Sequence, residues 1–278
     1  MKTKKILTVY LAGAVAAAIG LAVWRTVLLY RYFDPYTGEF SSASFSSMKT
    51  LGYTVFALLL LAFTSLIFFR KHDFEALGTS GSQLSVFASS FLGCLCFASF
   101  LLALGYHRER IFADTQTLRG KLLPIALFLL IPCALHFIAD ASARFERMQS
   151  RKLLGIFPTL FSLFYLFSVF TDTKLHQGHS NNRLQCVALA VLAIFFIQEM
   201  RAVFYGKTDL MRFPAALAAI ITLGVYELPN LIVTAFWDTD ITHMTVLEFT
   251  LAGALILAVA NARLVIRAVK KKEEPPKA

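Results

Sequence analysis

The chain has 278 residues, 57% of them hydrophobic and 16% charged, with a mean hydropathy of +0.65 and a formal net charge of +10. This composition lies far from ordinary globular usage, and the connections between apolar runs are too short to bury a core of their own. The positive charge does not imply nucleic acid, because the basic residues gather at the ends of apolar runs; the expected partner is the lipid bilayer.

Eight runs reach the roughly 17–25 residues that a helix needs to cross the hydrocarbon. They are Ile6–Tyr30, Met48–Phe69, Leu84–Tyr106, Leu122–Ala139, Leu153–Phe170, Leu184–Phe204, Pro214–Phe236 and Val246–Val265. Backbone amides cannot stay unpaired in hydrocarbon, and the runs are continuous rather than alternating, so helices are expected and strands are not. The predicted fold is all-α: a polytopic transmembrane bundle of about eight spans, one domain over residues 1–278, with a basic, disordered tail over residues 270–278.

The first run follows Met1-Lys2-Thr3-Lys4-Lys5 and could pass for a cleaved signal peptide. Its apolar stretch Ile6–Val23, followed by Trp24 as an interface anchor, is longer than a signal core, so an uncleaved first span is expected. With both termini in the cytoplasm, 18 of the 27 basic residues fall on the inner side, in agreement with the positive-inside rule. Trp24 and Trp237 then lie at the outer interface. Arg108, Arg110, Arg119 and Lys121 fall outside under this topology, where an error in the third or fourth span would first show.

The connection after the first span reads Tyr30-Arg31-Tyr32-Phe33-Asp34-Pro35-Tyr36-Thr37-Gly38-Glu39-Phe40. Asp-Pro initiates a turn and Gly38 tolerates positive φ, which predicts a compact reversal flanked by aromatics suited to the headgroup region. The stretch resembles the Tyr-Asp-Pro-x-Thr-Gly-like loop after the first span of uncharacterised multi-span membrane proteins of Gram-positive-type bacteria, with Phe33 in place of the more familiar Tyr. The resemblance implies a multi-pass protein of a bacterial cytoplasmic membrane and carries no catalytic residues. The loop either lines an interface or captures a partner or ligand.

Small residues let membrane helices approach closely. Gly13, Ala17 and the Ala16/Gly20 pair in the first span, Ser89, Ser90 and Gly93 in the third, Ala215–Ala219 in the seventh, and Ala254, Ala258 and Ala262 in the eighth place these four toward the middle. The Leu- and Phe-rich second and fifth spans are expected at the lipid-facing rim. Cys94, Cys96, Cys133 and Cys186 all lie in spans and read as small apolar packing residues.

Ionisable groups inside spans are the usual pointer to function, since even insertion scales set their cost at about 2.5–3.5 kcal/mol at mid-bilayer. Depth counted by helix rise gives two layers. The outer layer centres on Tyr226-Glu227-Leu228-Pro229-Asn230, with Glu227 about two-thirds of the way across from the inner side. Pro229 removes a helical amide and frees a carbonyl nearby, an arrangement some carriers use to build a site. Arg25 and Glu248 lie on the same side. Two readings stand: a pair such as Arg25–Glu227 or Arg25–Glu248 that fixes helix register, or a site for a solute, proton or cation.

The inner layer holds His136, Glu199 and Asn261 at one depth, with Asp140 one turn beyond His136. Here the readings are a metal or proton relay, or carboxylates paired with Arg201 and Arg144 near the cytoplasmic surface. Prenyl-protein-type intramembrane metalloproteases need a Glu-Glu pair and a second His motif, and neither occurs. His176 and His179 flank Gly178 and read as a flexible turn. With no phosphate loop, nucleophile elbow or Cys-x-x-Cys pair, no cofactor, metal or catalytic residue is expected.

Three functional classes remain. The first is a small-solute or ion carrier, or the membrane component of one, using Glu227 and Asn230. The second is a non-catalytic interaction or sensory protein acting through a membrane-protein partner. The third is a membrane enzyme using His136, Asp140 and Glu199 around a metal.

Overall fold

The structure is a computed structural model that describes all residues except 1, 35–38, 65–72, 76–82, 113–115, 143–152, 172–179, 206, 210, 238–245 and 274–278. Among the described residues it forms eight α-helices: α1 (Lys2–Tyr32), α2 (Phe45–Ala62), α3 (Gln83–Phe112), α4 (Leu118–Ala141), α5 (Phe157–Phe170), α6 (Ser180–Tyr205), α7 (Phe213–Trp237) and α8 (Val246–Glu273). Six of these contain stretches long and apolar enough to cross a membrane; the described apolar stretches of α5 and α7, Phe157–Phe170 and Phe213–Pro229, are shorter. Large apolar side chains such as Val9, Phe56, Leu60, Phe97, Leu135 and Phe170 are exposed. In water a surface of that kind would drive association; in hydrocarbon it is the matched exterior.

Hydroxyls inside the helices turn back on their own backbone. Ser99 donates to the Leu95 carbonyl at 2.7 Å, Thr222 to Ala218 at 2.8 Å and Ser162 to Pro158 at 3.0 Å, so small polar groups are satisfied without water. Pro124 and Pro132 inside α4, and Pro229 inside α7, each withhold one amide from the helical ladder.

The packing order closes on itself. α7 packs on α8, α8 on α3, α3 on α4, α4 on α5, α5 on α6, and α6 back on α7, while α1 and α2 lie against α7 from the other side. Every residue from 213 to 224 is buried, so the first half of α7, apolar but for Thr222, is surrounded by protein.

Helix contacts are closest where glycine removes a side chain. A Cβ on Gly93 would lie 2.8 Å from Ile138 Cγ1 and 3.0 Å from the Ala134 carbonyl oxygen of α4. One on Gly253 would lie 2.6 Å from Leu92 Cδ1, and one on Gly224 would lie 2.8 Å from Leu255 Cβ.

The expected central place of the first span is corrected. Only 22% of the apolar window of α1 is buried, against 61% for α8, and nothing lies within 4 Å of a Cβ on Gly13 or Gly20. α1 meets its neighbours through Leu7, Leu11, Ala18, Leu21, Arg25 and Leu28, a seam at three- and four-residue spacing. That leaves the small-residue stripe turned away. The rim position of α5 is corrected in part: Phe167 and Phe170 face outward, but Pro158, Phe161 and Ser162 are buried on the side where α5 meets α4 and α6.

Two short ribbons join the loops. Strand β1 (Phe33–Asp34) pairs antiparallel with β2 (Glu39–Phe40), giving the reversal expected after the first span, and the Ser41 amide donates to the Tyr32 carbonyl at 2.9 Å. Its tip, residues 35–38, lies outside the described residues. Strand β3 (Asp73–Glu75) pairs with β4 (Lys207–Asp209), so the α2–α3 and α6–α7 connections meet on one side of the bundle.

Crowding at glycine is testable by substitution. Gly93→Ala must push α3 from α4 backbone and should cost about 1–3 kcal/mol, seen as a lower melting temperature in detergent, whereas Gly20→Ala should leave melting unchanged.

Candidate functional site

The outer polar layer is assembled by α1, α2 and α7. Arg25 occupies one seam position of α1 and is 1% exposed. Its Nη1 donates to the Met48 thioether at 3.3 Å, and its guanidinium carbon stands 5.4 Å from the centre of the Tyr226 ring. Both are soft partners, a polarisable sulfur and an aromatic face. Tyr226 is fully buried, and its hydroxyl has no hydrogen-bond partner among the described residues.

Glu227 is buried at 9% exposure. Of the residues that the sequence grouped in this layer, Arg25 and Tyr226 are in contact, and Glu227 is the next residue along α7. Pro229 follows two residues on, inside a helix that continues to Trp237, so the Val225 carbonyl lacks its usual amide. Asn230 sits in α7, but its side chain lies outside the described residues.

Glu248 lies at the start of α8 and Arg119 at the start of α4.

The inner layer divides into two contacts. Asn261 Nδ2 of α8 donates to Glu199 Oε1 of α6, joining two residues that sequence counting put at one depth. Ser89 Oγ of α3 donates to Asp140 Oδ2 of α4 at 3.2 Å. Asn261 and Ser89 are both buried, so each carboxylate meets a donor inside the bundle.

His136 is 4% exposed and presents its ring edgewise to Phe137, with centroids 5.0 Å apart. Arg201 Nη1 is buried without a hydrogen-bond partner among the described residues, while Arg144, the other cation expected near these carboxylates, lies outside them. No three His, Cys, Asp or Glu side chains converge as a metal site among the described residues, which removes the geometric basis for grouping His136, Asp140 and Glu199 around a metal.

The cysteines are free: Cys96 and Cys133 are buried in α3 and α4, and Cys94 is exposed. His176 and His179 lie outside the described residues. Comparisons with protein-family models, curated proteins and solved structures give no match for this chain.

Two substitutions separate packing from polarity at Tyr226. Tyr226→Phe keeps the ring under Arg25 and removes a buried hydroxyl that has no hydrogen-bond partner among the described residues, so thermal stability should hold or rise. Tyr226→Leu removes the ring and should cost on the order of 1–2 kcal/mol in the same melting assay. At the inner layer Glu199→Gln retains an acceptor for Asn261 and should melt near wild type, whereas Glu199→Leu leaves the amide without one and should lose about 1–3 kcal/mol.

Proposed function

We propose that this protein is a multi-span component of a bacterial cytoplasmic membrane that carries a small solute or ion, with Glu227 as the coupling carboxylate. The observation that carries the reading is the burial of Glu227 next to Tyr226, whose ring lies under Arg25 and whose hydroxyl has no hydrogen-bond partner among the described residues, two residues before a proline inside an apolar helix. Charges held at such depth are costly unless they are used or firmly paired. Exchanging a proton or cation at Glu227 changes the charge facing Arg25, and that gives the arrangement a way to couple ion movement to helix packing.

Eight crossings, with both termini inside, suit the loop pairing. Four helices, α3 to α6, separate β3 from β4, and the two strands pair on one side. If α3, α4 and α6 cross, the short α5 has to cross as well for these connections to meet. The inner assignment of that side rests on the distribution of basic residues. The loop paired as Phe33↔Phe40 and Asp34↔Glu39 then faces outward.

Proteoliposomes loaded with a pH-reporting dye and offered panels of amino acids, organic acids and alkali cations provide the test. Wild-type protein should give solute- or cation-dependent proton flux, and Glu227→Gln should reduce it at least about tenfold with folded yield unchanged, the scale of losing one essential charged contact. If Glu227→Gln lowers only the folded yield, the residue is structural and the carrier reading fails.

A further inference from the structure

Helices α3 and α4 lie side by side, and three contacts fix their alignment. Ser89 Oγ of α3 donates to Asp140 Oδ2 of α4 at 3.2 Å. A Cβ on Gly93 would lie 3.0 Å from the Ala134 carbonyl oxygen. Further along, the Phe100 and Phe128 rings stand 5.8 Å apart. Residue numbers rise along α3 as they fall along α4, so the two helices are antiparallel. The spacing is even: Phe100 is eleven positions after Ser89, and Phe128 is twelve before Asp140.

That alignment brings two cysteines opposite one another. Cys96 follows Ser89 by seven positions, and Cys133 precedes Asp140 by seven. Seven residues are two helical turns to within about 20°, so each cysteine takes the face of the residue it is counted from. The thiol pair therefore repeats the Ser89–Asp140 contact about 10 Å along the axis. Gly93 lies between the two levels, where the backbones approach closely. A disulfide needs such an approach, since its Cα atoms stand about 4.4–6.8 Å apart. Both side chains are 1% exposed, and both thiols are free. Cys94, by contrast, sits about 200° round α3 from Cys96 and is exposed.

Packing accounts for either buried cysteine singly, but not for two at one level of one contact. Their surroundings select among the reactions open to a thiol pair. Leu92 and Leu130, one turn from each cysteine, are fully buried. In such a setting a thiolate is costly, and a soft monovalent metal ion between two thiolates would leave net negative charge there. A disulfide is neutral. Charged oxidants stay in the water, so the electrons have to leave through the lipid.

We propose that Cys96 and Cys133 are a reversible redox site, forming a disulfide that ties α3 to α4, with a membrane-dissolved quinone as the oxidant. Two S–H bonds break and one S–S bond forms. Two protons and two electrons pass to the quinone, which becomes the hydroquinone. The bond adds a covalent tie to a contact otherwise held by close packing at Gly93 and the Ser89–Asp140 hydrogen bond. Glu227 has no part in it, so the site stands apart from the carrier reading.

The test uses full-length protein, first reduced, in proteoliposomes whose bilayer contains a fully substituted benzoquinone with a decyl tail. Proteolysis and mass spectrometry without reductant then read which cysteines are joined. The peptides carrying Cys96 and Cys133 should appear linked, lighter by two hydrogens, with one hydroquinone formed per bond. A membrane-permeant reductant should release them, and the oxidised protein should melt a few degrees above the reduced. Impermeant ferricyanide in place of the quinone should give at least about tenfold less linked peptide, since a charged oxidant does not enter the apolar interior. Cys94→Ser should leave the yield unchanged, and Cys133→Ser should abolish it.

Absence of the linked peptide with the quinone overturns the proposal. So do pairings that involve Cys94 or Cys186 as often as Cys96 with Cys133, and so does equal oxidation by ferricyanide. If Cys133→Ser does not fold, Cys96→Ala serves as the same control, and the linked peptide of the unsubstituted chain decides the question without either variant.

Discussion

In hydrocarbon a polar side chain has no water to fall back on, so its partner must come from the protein, and this requirement organises the bundle. Arg25 shows it most plainly. It sits in a seam otherwise made of leucines and alanine, and Met48 and the Tyr226 ring approach its guanidinium from two other helices. The same demand joins α6 to α8 through Glu199 and Asn261, and α3 to α4 through Asp140 and Ser89. Apolar contact with lipid cannot choose among helix neighbours, because lipid and leucine are equally apolar. Shape at glycine and the pairing of polar groups do choose.

The two devices act at different places. Glycine contacts at Gly93, Gly224 and Gly253 tie α3, α4, α7 and α8 together at the level of the backbone. Polar contacts then fix the ends of the helices. α7 belongs to both systems: its first half is buried in protein, while Tyr226 in its second half meets Arg25 of α1.

The sequence showed the apolar spans well, because a run of some twenty apolar residues has few other uses. It also showed the shared depth of Glu199 and Asn261, since counting from the span starts needs nothing but helix rise. Neighbour relations were harder to read. Gly13, Ala16 and Gly20 permit close packing without compelling it, and the leucine seam of α1 looked no different from a lipid-facing one. The burial of Phe161 and Ser162 in α5 was hidden for the same reason, as phenylalanine suits either environment. Met48 gave no warning at all, because a thioether that receives a hydrogen bond from a buried guanidinium is written as an ordinary apolar residue.

That lipid surrounds the bundle while its polar groups are partnered inside is most directly tested by collision accessibility of spin labels in reconstituted protein. Labels at Phe56, Phe97, Leu135 and Val259, all exposed apolar positions, should collide freely with dissolved oxygen and rarely with a water-soluble nickel chelate. Labels at Ala188 and Leu217, which are buried, should meet neither. Ready access of the nickel chelate to the first group would mean that water, and not hydrocarbon, bathes these helices, and the account would be wrong.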